Sequence, residues 1–281
     1  MPNARRPAGL RRRDILKGCA AAGIGALTGG ASYGFMYERH HVGITRATLE
    51  VSGWSDGLAG LRVGFLTDLH RSRTVSHGLI THAVQLLMAE RPDLIVLGGD
   101  YVTWGDREFV QAAAEALAGL AAPWGVFAIL GNHDDDHDMP AALAARGFTV
   151  LRDARTQIRV RAEPVDLIGI RYWTRRVEEI SRLMRGASPN AILLAHTPAR
   201  LLEAASLAVP VVISGHTHGG QIVLPGLGAL AARRFPVIAG VGKRENTAIF
   251  VSRGVGTVYI PVRLNCPPEV AVITLQPVSR G

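Results

Sequence analysis

Five short apolar runs in this chain are each followed at once by residues able to bind a metal. Thr67-Asp68-Leu69-His70, Gly98-Gly99-Asp100, Gly131-Asn132-His133-Asp134, Ala195-His196 and Ser214-Gly215-His216-Thr217-His218 are the five segments. The pairs Asp68/His70 and His216/His218 are spaced i, i+2. In extended chain that spacing puts both side chains on one side, as two ligands of one centre or of adjacent centres require. Imidazole, carboxylate and a single amide oxygen suit borderline first-row metals such as Mn, Fe, Zn or Ni. A calcium site would contain little His, and a structural zinc site would use Cys. Any one of these residues reads equally well as a turn former or helix cap. Five clusters, each beside glycine or at a strand end, are not explained by capping.

The elements that must position them follow from apolar patterning. Strands are expected at Arg62–Thr67, Leu94–Gly98, Val126–Leu130, Leu167–Arg171, Ala191–Ala195, Val209–Ser214, Gln221–Leu224, Thr247–Ser252 and Val270–Leu275. Helices are expected at about Ser76–Glu90, Arg107–Leu120, Pro140–Arg146, Arg175–Arg185 and Pro198–Ala205. Early alternation of strand and helix with a strand-rich last third predicts an α/β sandwich whose sheets are flanked by helices. In open α/β sheets the crevice beyond the carboxyl ends of the strands is where ligands bind. No linker-like break interrupts the pattern, so residues 41–281 read as one catalytic domain behind a leader at 1–40.

The series D-x-H, G-D, G-N-H-D, a lone H and G-H-x-H resembles the calcineurin-like metallophosphoesterases over roughly Leu61–Leu275. It is most similar to bacterial members with an export leader, through His216–Gln221 (H-T-H-G-G-Q), Ser252–Gly256 (S-R-G-x-G) and Arg263–Glu269 (R-x-N-C-x-P-E). The resemblance implies a four-layer αββα β-sandwich and two divalent transition-metal ions (Mn, Fe, Zn or Ni). One ion would be held by Asp68, His70, Asp100 and His218. The other would be held by Asp100, Asn132, His196 and His216, with Asp100 bridging. A shared carboxylate between two dications agrees with electrostatics, and a bridging water that loses its proton near neutral pH would be the nucleophile. His133 is then the expected general acid or electrostatic stabiliser, and Asp134 its carboxylate support. The sequence departs from the protein-phosphatase branch, which has an acid and an arginine where Thr103 and Trp104 stand. That leaves the acid–histidine pairing open and argues against a Ser/Thr protein phosphatase.

Arg71, Arg253 and Arg263 are candidates for gripping a non-reacting phosphate, as is Arg73; the alternative for Arg71 and Arg73 is a solvated surface side chain. The run Asp134-Asp135-Asp136-His137-Asp138 reads first as an acidic helix N-terminus, and otherwise as a modulator of the metals.

Of a net charge of +8, +5 lies before Gly18. Arg12-Arg13-Asp14-Ile15-Leu16-Lys17 resembles a twin-arginine export signal, followed by the uncharged, Gly- and Ala-rich stretch Gly18–Met36. The expectation is export by the twin-arginine machinery to the extracytoplasmic side, the leader being either cleaved or kept as a membrane tether. A charge so placed argues against nucleic acid as partner. The two cysteines, Cys19 and Cys266, give no disulfide framework once the leader is set aside. The leading expectation is a two-metal phosphoester hydrolase, mono- or diesterase, acting on a phosphorylated small molecule, membrane lipid or sugar-nucleotide diphosphate. The alternatives are a non-catalytic envelope scaffold that binds metal, and a nuclease with the same metal site.

Overall fold

Runs such as Leu94-Ile95-Val96-Leu97 carry no polar face, so a strand made from them must be covered on both sides. The computed structural model of the protein describes residues 11–278 and shows how this is done; Arg5 and Arg6 of the basic leader lie outside the described residues. From the N-terminus run helix α1 (Arg12–Met36) and strands β1 (Gly43–Val51) and β2 (Leu61–Leu66). Helix α2 (His77–Ala89), β3 (Leu94–Leu97), α3 (Val110–Ala116) and β4 (Val126–Ala128) follow. Next come α4 (Asp138–Ala144), β5 (Thr149–Val150), β6 (Ala154–Val160), β7 (Glu163–Gly169) and α5 (Val177–Met184). The order closes with β8 (Ala191–Leu194), α6 (Leu201–Ser206), β9 (Val211–Ser214), β10 (Gly240–Arg244), β11 (Thr247–Val251) and β12 (Glu269–Pro277).

Two mixed sheets result, ordered β1-β12-β2-β3-β4-β5 and β10-β11-β9-β8-β7-β6. Strands β2 to β5 run parallel in the first, and β7, β8, β9 and β11 run parallel in the second. Period-2 alternation splits each strand between two layers. Leu94 and Val96 pack with Ile192 and Ile213 of the facing sheet, whereas Ile95 and Leu97 pack with Leu87 of α2 and Val110 of α3. In the second sheet Leu193, Val212 and Ile249 turn the other way, onto Ile180 of α5 and Leu201 of α6. This is the expected helix-flanked pair of sheets. Each such side chain contributes roughly 1.5–3 kcal/mol on burial, enough in total to hold the loops beyond the strands in strained shapes.

The departures from the expected elements are at the edges. Strands β1, β5, β6 and β10 were not expected. In β6 the inward Ala154, Thr156, Ile158 and Val160 alternate with exposed Arg155, Gln157 and Arg159, which dilutes the apolar signal. The expected strand Gln221–Leu224 is not one. Left-handed backbone at Gly219, Gly220 and Gln221 bends it away, leaving only the bridges Ile222 to Leu264 and Leu224 to Gly228. The expected helix Arg107–Leu120 begins as a 3-10 turn, Arg107–Phe109, before α3.

Helix α1 is exposed along most of its length, but its end is not. Gly34 lies against the chain at Arg263, where a β-carbon would collide with the Arg263 carbonyl, and Arg263 N–H donates to Gly34 O. Just beyond α1, Glu38 is buried, and its carboxylate accepts the backbone N–H groups of Asn265 and Cys266. Among the described residues no helix is long and apolar enough to cross a membrane.

Candidate metal centre

Five carboxyl ends of parallel strands, three from the first sheet (β2, β3, β4) and two from the second (β8, β9), open at one edge where the sheets meet. Neighbouring loops within each sheet are tied together there. Asp68 N–H donates to Gly99 O, His70 N–H to Asp100 O, and Gly215 N–H to His196 O. Across the sheets, His216 N–H reaches both carboxylate oxygens of Asp68 at 3.0 Å. Gly131 is required by close approach: a β-carbon there would overlap the Asp100 carboxylate.

Two groups of ligand atoms converge, Asp68/His70/His218 and Asp100/His196/His216. Asp100 Oδ2 faces both, 3.1 Å from His196 Nε2 and 3.5 Å from His70 Nε2. Asp68, His70, Asp100, His196 and His218 are almost fully buried. Asp68, His70, Asp100, His216 and His218 all have positive φ, between 48° and 71°. That conformation costs an L-residue about 1 kcal/mol or more, and here it accumulates on the residues whose side chains converge.

Two buried polar atoms in this cluster, Asn132 Oδ1 and His196 Nε2, have no hydrogen-bond partner. His196 Nδ1 pairs with Gly98 O at 2.7 Å, and Nε2 faces the Asp100 carboxylate at 3.1 Å. An unpartnered amide oxygen and an unpartnered imidazole nitrogen, beside two carboxylates, fit a bound cation. Burial depresses the imidazoles, His70 to about 4 and His216 to about 3, and His218 well below its ordinary value. They are neutral ligands at neutral pH. Burial would lower His196 too, but Asp100 and Asp68 outweigh it and hold it up at about 10. Burial also raises Asp68 to about 6, against the pull of His196. The cluster draws in positive charge, and the donor set fits borderline dications.

The family model for calcineurin-like phosphoesterases matches residues 61–220. The chain belongs to that family. It is 32% identical over 282 residues to the metallophosphoesterase YkuE of Bacillus subtilis, covering 95% of this chain and 98% of that one. It is 30% identical over 277 residues to the phosphodiesterase YaeI of Escherichia coli, covering 95% and 99%. Among solved structures, the NAD nucleotidase NadN of Haemophilus influenzae aligns with a TM-score of 0.48 and 15% identity, over 69% of this chain and 45% of that one. As a calcineurin-like phosphoesterase the protein is a metal-dependent phosphoester hydrolase.

Several neighbours of this phosphoesterase site differ from the sequence expectation. Asp134 does not support His133. Its carboxylate accepts the N–H groups of Asp100, Tyr101, Val102 and Gly131, and so clamps the β3 and β4 loops together. Burial and the nearby Asp100 charge raise it to about 7. His133 finds no carboxylate: its Nδ1 accepts Trp104 N–H at 3.2 Å. The proton of the neutral ring then sits on Nε2. Burial lowers its pKa, against the charge of Asp100, so the ring is neutral at neutral pH. Thr103, in the place of the acid, instead accepts from His70 Nδ1 at 3.2 Å, which leaves Nε2 of His70 for a ligand.

The three arginines expected to grip substrate are engaged elsewhere. Arg263 is fully buried and donates to the carbonyls of Arg253, Gly254, Gly256 and Cys266. Arg253 pairs with Glu269 through backbone and side chain. Arg71 lies over Phe109 and donates to Val75 O at 2.9 Å. In the acidic run, Asp135 accepts the N–H groups of His137 and Asp138 at the start of α4, as the capping reading expects.

Proposed function

We propose that this chain hydrolyses a phosphodiester bearing an apolar group, with the phosphoryl centre at the seven ligands and the apolar group in the cavity beside them. The observation that carries this reading is that cavity, about 420 Å³, whose walls run from Asp100, Asn132, His133, His216 and His218 to Ile222, Leu224, Leu230, Phe235, Val258 and Ile260. Its rim leaves Leu230, Tyr259 and Ile260 about half or more exposed. Apolar surface is seldom left open beside a reaction site unless something covers it. Of the polar side chains in these walls, Thr217 and Gln221 are bonded to backbone groups, leaving Arg234 and Tyr259 beside a mostly apolar surface, so a membrane lipid fits better than a sugar-nucleotide diphosphate. That one relative bears the name phosphodiesterase favours diester over monoester.

Asp68, His70 and His218 would hold one divalent ion, and Asn132, His196 and His216 the other, with Asp100 between them. When bound, the two ions supply Lewis acidity at the phosphoryl oxygens and an activated water as nucleophile. His133, kept neutral by burial and by the Trp104 N–H, offers Nε2–H from the cavity wall to the oxygen on which charge develops. A nuclease would need a basic groove, and Arg234 is the one arginine or lysine lining this cavity. A metal-binding scaffold has no use for the His133 donor. The Arg12–Lys17 motif is our reason for assigning export by the twin-arginine machinery and an extracytoplasmic site near the membrane.

The test is hydrolysis of an aryl phosphodiester and an aryl phosphomonoester by metal-stripped protein, with Mn, Zn, Fe and Ni restored one at a time and Asp100→Asn alongside. Metal-dependent diester hydrolysis that the variant lacks is expected. Equal activity in Asp100→Asn, or none with any metal, would overturn the reading.

A further inference from the structure

Behind His216 and Phe235 lies a second cavity of about 280 Å³, lined by Tyr172, Arg175, Thr197, Arg200 and Arg234. His216, Arg234 and Phe235 belong to the walls of both cavities. Three arginines therefore line one small space that adjoins a metal ligand, Arg200 largely buried and Arg175 and Arg234 exposed to solvent at its mouth. Their charge is poorly balanced. Arg200 pairs with Glu203 at 2.6 Å, but its Nε is buried without a partner. Arg175 and Arg234 form no ion pair among the described residues. They lie instead over aromatic rings, Arg175 at 5.6 Å from the centre of Trp173 and Arg234 at 4.9 Å from that of Phe235. An aromatic face orients a planar guanidinium without neutralising it, and the fork of N–H donors stays available.

Like charges gathered in a cavity repel until an anion enters. An arginine fork matches a phosphate or carboxylate through two parallel hydrogen bonds. We propose that this second cavity binds a second phosphate of the substrate, with Arg175 and Arg234 as its ligands and Arg200 supplying the buried donor. The inference rests on the phosphodiesterase reading and narrows it. The preferred substrate is an amphiphile with two phosphates, one reacting at the metal ligands and one held beside His216. None of these arginines stands in a recognisable motif. The chain brings them together from the loop after β7, the turn before α6 and the loop before β10.

The test compares 4-nitrophenyl 2-phosphoethyl phosphate with 4-nitrophenyl 2-hydroxyethyl phosphate, which differ only in the second phosphate. Calorimetric binding of both to metal-free protein, and kcat/KM of both with metal restored, are measured for the natural chain and for Arg175→Gln/Arg234→Gln. The phosphate-bearing compound is expected to bind at least tenfold more tightly, and the double variant to lose most of that preference in both readouts. No preference in the natural chain, or one that survives in the double variant, would overturn the subsite. Failure of the metal-loaded protein to hydrolyse either compound would count against the phosphodiesterase reading, while the binding ratio still decides the subsite.

Discussion

His133 shows how little of a residue's role its type reveals. The ring sits beside two candidate metal sites, where a protonated imidazole would be repelled, and its Nδ1 is taken by a backbone N–H instead of a carboxylate. In the proposed reaction it would serve as a neutral donor. His133→Ala is expected to keep its metals and to lose turnover by about 10²–10⁴-fold, most on esters with poor leaving groups; metal analysis with kinetics on a leaving-group series checks this, and loss of metal would make His133 a ligand. Thr103 belongs to the same scale. Thr103→Val removes the oxygen that holds His70 Nδ1, and metal affinity should fall about 10–100-fold, whereas Thr103→Ser should largely retain it in a chelator competition. The six side chains of the two convergent groups stood out in the sequence because metal chemistry admits few residue types and strand ends place them. Thr103, the Asp134 clamp and the buried Arg263 did not. Their partners are backbone atoms of other loops, and no pattern along the chain encodes those.

At the scale of elements, legibility followed burial. Strands β3, β8, β9 and β11 are buried at every position and read as nearly continuous apolar runs, and β2 is interrupted only by Arg62 and Gly64. The edge strand β6 carries arginines on its open face, and β1 lies in a stretch read as following directly on the leader, so neither stood out. The end of α1 is the least foreseen contact. Glu38 holds the N–H groups of Asn265 and Cys266, Cys266 Sγ–H donates to His218 O, and Arg263 fills the space beneath. The segment that looks like the tail of a leader thus braces a ligand-bearing loop. In the full chain, Glu38→Ala should weaken metal binding about tenfold or more besides lowering the melting temperature, and Glu38→Gln should recover part of both. Wild-type metal affinity in Glu38→Ala would show that the contact is structural only.

For the whole molecule, the layered core explains why function gathers at one edge. Two sheets packed face to face, with helices outside, leave the strand ends as the place where loops from both can meet, and strain in those loops is carried by the rigid layers. An apolar cavity opens beside the metal ligands, and a smaller one lined by Arg175, Arg200 and Arg234 adjoins it across His216 and Phe235. That division gives the site a direction, and composition alone cannot show it, because the basic excess of the sequence lies mostly in the leader. On the proposed function, seven side chains hold two divalent ions, shared through Asp100. The measurement that tests it most directly is metal content per chain after reconstitution and removal of loose ions, for the natural protein and for Asp100→Asn. Two ions per chain in the natural protein and fewer than one in the variant are the expected result. A single ion in the natural protein, or two retained in Asp100→Asn, would contradict it.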